Sequence, residues 1–327
     1  MSRVLVTGAN GFLGLWLVRG LIDEGQEVLA LVRNPNKEPE LQKLKCQIIQ
    51  GDVTDLKSLE SAFAKVEAVF HLAGLIAYRR SDREQMEKVN VLGTANVLVA
   101  CEHQQVKRLV HLSSVVTVGA GFDPHQILNE NSQYNLEKFN FGYFETKRKA
   151  EELVMTAVNN QKIDAVIVNP STIYGAGDLK KGSRKTQVKV AQGKFPFYTS
   201  GGVSVVAVED VVAGVLAAWH RGRTGERYIL SGENLLIKDL FQIIAQCAGV
   251  SVPKYKIPDW ILLLLGRTGD FLSSIGITTS LSYENAKVAT LYHWFDCAKA
   301  QKELGFNPRP AKEALQKSVD WLGCVFR

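Results

Sequence analysis

Apolar positions along the chain fall into short runs separated by longer amphipathic stretches. Val4 to Val6 is the first run, and Phe12, Leu13, Leu15, Trp16, Leu17, Leu21 and Ile22 follow it at helical spacing. Glu27 to Val32, Gln47 to Ile49, Glu67 to Leu72, Arg108 to Leu112 and Ala165 to Val168 read as five further strands. Arg83 to His103 and Phe141 to about Asn160 read as long helices between them. Strands alternating with helices over short connections predict an α/β fold with a doubly wound parallel sheet, whose ligands sit beyond the carboxyl ends of the strands. From Ser171 the alternation breaks down. Val205 to Trp219 reads as a strand and then a helix led by Glu209 and Asp210, and Arg227 to Leu230 as another strand. Ile237 to Cys247, Pro258 to Ile275, Ser282 to Leu291, Asp296 to Leu304 and Ala311 to Leu322 read as helices. The expected organisation is a first domain over residues 1–170 and a smaller, helix-rich lobe over residues 171–327, partly interleaved with it.

Composition changes this picture little. The chain has 327 residues, 46% apolar and 22% charged, enough for a full α/β core of ordinary globular character. Lys and Arg outnumber Asp and Glu by 39 to 33, but no stripe of basic and aromatic residues accompanies the balance, so no nucleic-acid partner is expected. Cys46, Cys101, Cys247, Cys297 and Cys324 are scattered and read as reduced thiols. No apolar run approaches the roughly 20 residues of a membrane span, and the first residues enter a strand without a signal-peptide pattern. A cytoplasmic protein is expected. The histidines show no metal-ligand spacing, so no metal is expected, and His71 and His111 at strand ends read as structural or exposed.

Gly8, Gly11 and Gly14 stand at Gly-x-x-Gly-x-x-Gly spacing between the first strand and the first helix. Glycine permits a tight turn and a close approach of backbone to a pyrophosphate at a helix N-terminus, where free N–H groups and the helix dipole favour anionic oxygens. Gly8, Asn10, Gly11, Phe12, Leu13 and Gly14 are therefore expected to cradle a dinucleotide, which makes residues 1–170 the dinucleotide-binding domain and the second lobe the substrate lobe. The second strand ends in Val32-Arg33, with no acid before Glu38. An acid there would bind the ribose of NAD, whereas arginine accommodates the 2′-phosphate of NADP, so NADP (NADPH) is favoured over NAD.

Tyr143 and Lys147, four apart, share one helix face. An ammonium and a positive nicotinamide ring lower a phenol's pKa from about 10, which suits it to exchange the proton of a carbonyl or alcohol oxygen while hydride moves. Tyr134/Lys138 and Tyr283/Lys287 share the spacing, but the first lies in a polar stretch and the second in the second lobe. Tyr143 opens the helix between the fifth and sixth strands.

Thr7-Gly8-Ala9-Asn10-Gly11-Phe12-Leu13-Gly14, Gly51-Asp52-Val53, His71-Leu72-Ala73-Gly74, Asn90-Val91-Leu92-Gly93-Thr94, Leu112-Ser113-Ser114, Tyr143 with Lys147, and Asn169-Pro170-Ser171 together resemble the extended short-chain dehydrogenase/reductases, the NAD-dependent epimerase/dehydratase family. The Val-Arg strand end and the Asn-Pro-Ser-Thr segment look more like its dihydroflavonol-reductase-like branch, including hopanoid-associated sugar epimerases, than like the NAD-using galactose epimerases. Arg227-Tyr228-Ile229-Leu230 and Gly232-Glu233-Asn234 extend that likeness. The resemblance implies Tyr143 as acid/base, Lys147 on the nicotinamide ribose, and Ser114, or alternatively Ser113, on the substrate oxygen. It further implies Asp52 and Val53 at the adenine, Ala73 and Gly74 along the cofactor, and Pro170 and Ser171 around the nicotinamide. The family's Val-Tyr-Gly is here Val118-Gly119 with one extra residue before it, so local substrate contacts do not transfer.

Three functions follow. The leading one is an NADP-dependent oxidoreductase interconverting a carbonyl and an alcohol on a small organic substrate. The second is an NDP-sugar epimerase or dehydratase that retains its cofactor, and the third is a non-catalytic cofactor-binding protein of the same fold. The oligomeric state is open, a homodimer being what the family suggests. Lys180, Lys181, Arg184 and Lys185 form a basic loop that reads equally as a diphosphate clamp or as solvated surface. Trp260 to Leu265, with Phe271, Leu272 and Ile275, reads as a buried helix of the second lobe rather than a membrane-surface or partner helix.

Overall fold

The computed structural model describes residues 1–178, 184–277, 279 and 282–325, without the side chains of Arg184 and Val325. The first half of the chain runs β1 (Arg3–Thr7), α1 (Phe12–Asp23), β2 (Glu27–Val32), α2 (Pro39–Gln42), β3 (Gln47–Gln50), α3 (Leu56–Ala62), β4 (Ala68–His71), α4 (Arg83–Met86), α5 (Gly93–His103), β5 (Arg108–Leu112), α6 (Gly142–Asn159) and β6 (Ala165–Pro170). The second runs β7 (Thr172–Tyr174), α7 (Arg184–Ala191), β8 (Phe197–Tyr198), β9 (Gly202–Ala207), α8 (Val208–Arg221), β10 (Arg227–Leu230), β11 (Glu233–Leu236), α9 (Ile237–Ala248), β12 (Tyr255–Lys256), α10 (Asp259–Ser274), α11 (Tyr283–Val288), β13 (Tyr292–His293), α12 (Ala298–Leu304) and α13 (Ala311–Val325).

Seven strands form one parallel sheet in the order β10-β6-β5-β4-β1-β2-β3. Connections leave β1 toward β2 on one side and reach β4 on the other, which opens a crevice at their carboxyl ends. Val4, Leu5 and Val6 are fully buried, as a strand covered on both faces requires. One face carries Val4, Val6, Phe70, Val110, Val166 and Val168 under α1, α8 and α12. The other carries Leu5, Leu29, Val69, Leu109 and Ile167 under α3, α5 and α6. The seventh strand, β10, together with α8 and α12, comes from beyond residue 170, so the second half of the chain completes the sheet and one of its faces. The remaining elements form the smaller lobe, with a core of Tyr174, Val205, Leu240, Phe241, Ile244 and Leu315.

Two predicted helices differ in the structure. Arg83 to His103 is interrupted by a wide turn over Glu87–Leu92, whose backbone bonds span five residues instead of four. Inside it the Asn90 side chain receives the Leu75 amide at 2.7 Å and donates to the Leu75 carbonyl at 3.0 Å. The helix expected to be buried at Pro258 to Ile275 is the larger correction. In α10 only Leu262, Gly266 and Gly269 are buried, because Gly266 brings the helix backbone against α11, and Trp260, Leu264 and Phe271 lie on the opposite side. Periodicity could not choose between two apolar faces. Among the described residues no helix is long and apolar enough to cross a membrane.

Candidate active site

The sequence motifs meet at the carboxyl ends of β1, β4, β5 and β6. Gly8 has φ of +67°, and a Cβ there would come within 2.8 Å of the Ala73 amide nitrogen. A Cβ on Gly14 would lie 2.2 Å from the Gly8 carbonyl oxygen. Both positions therefore exclude a side chain, and Gly11 at the N-cap of α1 offers none to cap the helix. A bare helix N-terminus behind a backbone cradle fits a pyrophosphate. Phe12 and Leu13 begin α1, with Leu13 buried. Ala73 donates its amide to Thr7 Oγ1 at 3.1 Å, which fixes the Ala73-Gly74 backbone beside the cradle.

Further along the crevice, Arg33, Gly51, Asp52, Asp55, Ser58 and Ser61 line an open recess. Asp52 Oδ1 receives the Thr54 amide and hydroxyl, both at 2.9 Å, and Val53 is buried against Gly93. Glu38, distant from the motif in sequence, comes back to accept from Asn10 Nδ2 at 2.6 Å, so an acid borders the same end as Arg33. At the opposite end, Pro170 closes β6 and Ser171 follows, its hydroxyl buried with no hydrogen-bond partner among the described residues. A buried unpaired hydroxyl there fits a polar group of a bound cofactor.

Tyr143 and Lys147 lie on the first turns of α6, both buried. The Ser114 hydroxyl lies near enough to the Tyr143 phenol to lower its pKa, and Lys147 Nζ donates to the Leu112 carbonyl at 2.7 Å. Ser113 turns the other way and donates to the carboxylate of Glu151. The two adjacent serines thus have different neighbours, and Ser114 is the one that reaches the tyrosine. Tyr134 donates to Glu145 Oε1 at 2.9 Å and Tyr283 has Arg267 over its ring at 5.5 Å, so neither rival Tyr-x-x-x-Lys pair joins the site. Burial, with Tyr78 nearby, pushes the Tyr143 phenol up from its usual range, while the Ser114 hydroxyl acts the other way. Among the chain's own groups desolvation is the largest influence on this phenol; the lowering expected from the sequence draws on the charge of a bound nicotinamide as well. Burial pulls Lys147 down to about 8, with Glu151 opposing.

Glu151 is the residue that motif reading passed over. One turn beyond Lys147 on the same face, its buried carboxylate also receives Thr117 Oγ1 at 2.8 Å and Asn169 Nδ2 at 2.9 Å, and Arg227 of β10 approaches it at 3.2 Å. It ties the catalytic helix candidate to the serine loop, to β6 and to β10. The i, i+4, i+8 spacing of Tyr143, Lys147 and Glu151 was the available signal. Asn90 adds a second brace, donating to Thr146 Oγ1 at 3.0 Å beside Lys147.

His71 and His111 are both buried at the strand ends, facing each other with ring centroids 5.4 Å apart. Thr94 Oγ1 donates to the Asn90 carbonyl at 2.6 Å, so it accepts from His71 Nε2, 3.0 Å away. His71 Nδ1 then accepts from Thr7 Oγ1 at 2.8 Å. Both nitrogens of His111 lack a partner among the described residues. Burial pulls His71 down to about 3 and His111 well below its usual value, with the Lys147 charge reinforcing both. Among the described residues no group of His, Cys, Asp and Glu is placed to hold a metal, and all five cysteines are unbridged. Of the basic loop, Lys180, Lys181 and the Arg184 side chain lie outside the described residues, and Lys185 is exposed on α7.

A sequence model of the NAD dependent epimerase/dehydratase family matches residues 4–231. A putative dihydroflavonol 4-reductase of Synechocystis sp. is 34% identical over 97% of this chain and 93% of its own length. Sterol demethylase protein B of Methylococcus capsulatus is 30% identical over 97% of both chains. The crystal structure of gox2253 superposes with a TM-score of 0.88 at 31% identity, covering 99% of each chain. A dTDP-glucose 4,6-dehydratase of Streptomyces venezuelae and a UDP-glucuronic acid 4-epimerase of Bacillus cereus, both with NAD bound, share the fold at 21% and 20% identity. With its glycine cradle, parallel sheet and family match over residues 4–231, the chain belongs to the NAD-dependent epimerase/dehydratase family of extended short-chain dehydrogenase/reductases, which are NAD(P)-dependent enzymes.

Proposed function

We propose that the chain is an NADP-dependent oxidoreductase that interconverts a carbonyl and an alcohol on a small organic substrate. The observation that carries this reading is that buried Tyr143 and Lys147 of α6 lie at the end of β5, where Lys147 bonds to Leu112 and the Ser114 hydroxyl is near enough to the phenol to lower its pKa. Bound NADPH supplies the hydride. Gly8, Asn10, Gly11, Phe12, Leu13 and Gly14 hold its pyrophosphate, Arg33 meets the 2′-phosphate, and Asp52 and Val53 meet the adenine. Ala73, Gly74, Pro170 and Ser171 line the nicotinamide half, with Lys147 on the ribose. Ser114 donates to the substrate oxygen, and Tyr143 passes its proton to that oxygen as negative charge develops there; alcohol oxidation reverses the path. Lys147, while cationic, stabilises the phenolate that remains.

Net redox is favoured over epimerisation because relatives covering nearly the whole chain at 29–34% identity carry reductase names, among them a 2-alkyl-3-oxoalkanoate reductase of Stenotrophomonas maltophilia. The test is to incubate purified protein with candidate ketones and NDP-sugars and follow absorbance of the reduced nicotinamide. Stoichiometric consumption of NADPH with a ketone supports the reading. Conversion of an NDP-sugar with cofactor retained and no net absorbance change overturns it.

A further inference from the structure

We propose that α10 docks the protein on the surface of an anionic lipid bilayer. Trp260, Leu264, Phe271 and Ile275 are 68%, 53%, 66% and 57% exposed. At 100° per residue they fall within about 60° of the helix circumference, a single outward stripe of large apolar side chains. Tyr255 on β12, the strand before the helix, and Phe197 on its paired strand β8 are exposed as well, and their rings lie 6.1 Å apart. An apolar surface of this kind on an otherwise ordinary globular chain marks a contact.

Charge identifies the occupant. Lys254 and Lys256 flank Tyr255 at the start of the stripe and Arg267 borders it, all three exposed and none with a carboxylate partner among the described residues. Against these three cations α10 itself carries two acids, Asp259, which accepts from Ser200, and Asp270, which accepts from the Tyr283 amide at 3.1 Å; both keep their charge. A second copy related by a twofold axis would bring these like charges together. Anionic headgroups match the cations while acyl chains take the aromatic and aliphatic side chains, the arrangement of an interfacial helix. The helix is not remote from the site. Ser282, the N-cap of α11 beneath it, donates to the Tyr78 carbonyl at 3.2 Å, and the Tyr78 ring lies 6.4 Å from that of Tyr143. Docking through α10 would therefore leave the site on the far side of α10 and α11 from the bilayer, whatever the reaction there.

The experiment is co-sedimentation of the full chain with phosphatidylcholine vesicles, with and without phosphatidylserine, alongside its sedimentation velocity without lipid. Wild type is expected to bind the phosphatidylserine vesicles. The Trp260→Ser, Phe271→Ser double variant should lose about tenfold or more in partitioning with its thermal melt unchanged, since both side chains are exposed. Lys254→Glu with Lys256→Glu should abolish the preference for phosphatidylserine. Absence of binding to either vesicle, equal binding by wild type and the apolar double variant, or a lipid-free dimer that the apolar variant dissociates would each overturn the proposal.

Discussion

Lys147 Nζ is bonded to the carbonyl of Leu112 at 2.7 Å, which fastens the ammonium of α6 to the residue directly before the two serines. Burial holds its pKa at about 8, and Glu151 works against that fall. Activity that needs the cation is present below that value and is lost as pH rises through about 8. In Glu151→Gln the opposing charge is gone, so the alkaline limb of kcat/KM moves to lower pH, and Glu151→Asp moves it part of the way back. A limb at the same pH in all three proteins would show that Glu151 does not act through the lysine.

Tyr143→Phe should lower kcat by about 10²–10⁴-fold while the dissociation constant for NADPH stays within about twofold. Ser114→Ala should reduce kcat with little effect on melting temperature. Ser113→Ala should do the opposite, because its hydroxyl serves the Glu151 carboxylate. Stopped-flow turnover, cofactor fluorescence and thermal melts separate the three, and a variant pair with interchanged phenotypes would reassign the serine.

Arg33 stands at the recess with an exposed side chain, and Glu38 borders the same end through Asn10. Arg33→Ala is expected to weaken NADPH by about tenfold or more and to leave NADH nearly unchanged, the loss of a charge-assisted contact to phosphate. Glu38→Gln should shift the balance further toward NADPH by removing a like charge. Equal losses for the two cofactors in Arg33→Ala, measured by isothermal titration, would remove the basis for the NADP preference.

His71 and His111 are kept neutral in the fold but take up protons once unfolded. Their folded pKa values are depressed, so the unfolded state binds more protons below about pH 6.5, and stability falls as pH drops from there toward about 3. Each buried histidine contributes up to ~1.4 kcal/mol per pH unit in that window. His111, whose nitrogens have no partners among the described residues, can be replaced by phenylalanine at small cost, and His111→Phe should flatten the slope. Urea denaturation at pH 7 and pH 5 measures this; an unchanged slope refutes the assignment.

The sheet strands were legible because each is short and bounded by turn residues and the central ones are buried on both faces, and the glycine spacing carried its own steric reason. Gly8 and Gly14 are glycines for the close approaches that the structure contains. The partners of Ser113 and Ser114 were not legible, because neighbouring residues at a strand end diverge according to what the fold brings above them. Glu151 escaped for a similar reason: three of its partners, Ser113, Asn169 and Arg227, come from separate strands or their ends, and no local pattern announces their convergence. In α10, composition alone was informative, and it described a helix with two apolar faces without saying which would be covered.

The face of the central sheet beneath α8 and α12 has a consequence for how the protein is made. Val110, Val166 and Val168 are in place by residue 170, yet their cover includes Val211, Val215, Ala300 and Phe306. A nascent chain therefore displays a hydrophobic sheet surface until the ribosome has added more than 130 further residues (306 − 170). The glycine cradle is synthesised first and the sheet is sealed near the end, so interrupted synthesis yields a sticky fragment rather than a smaller enzyme.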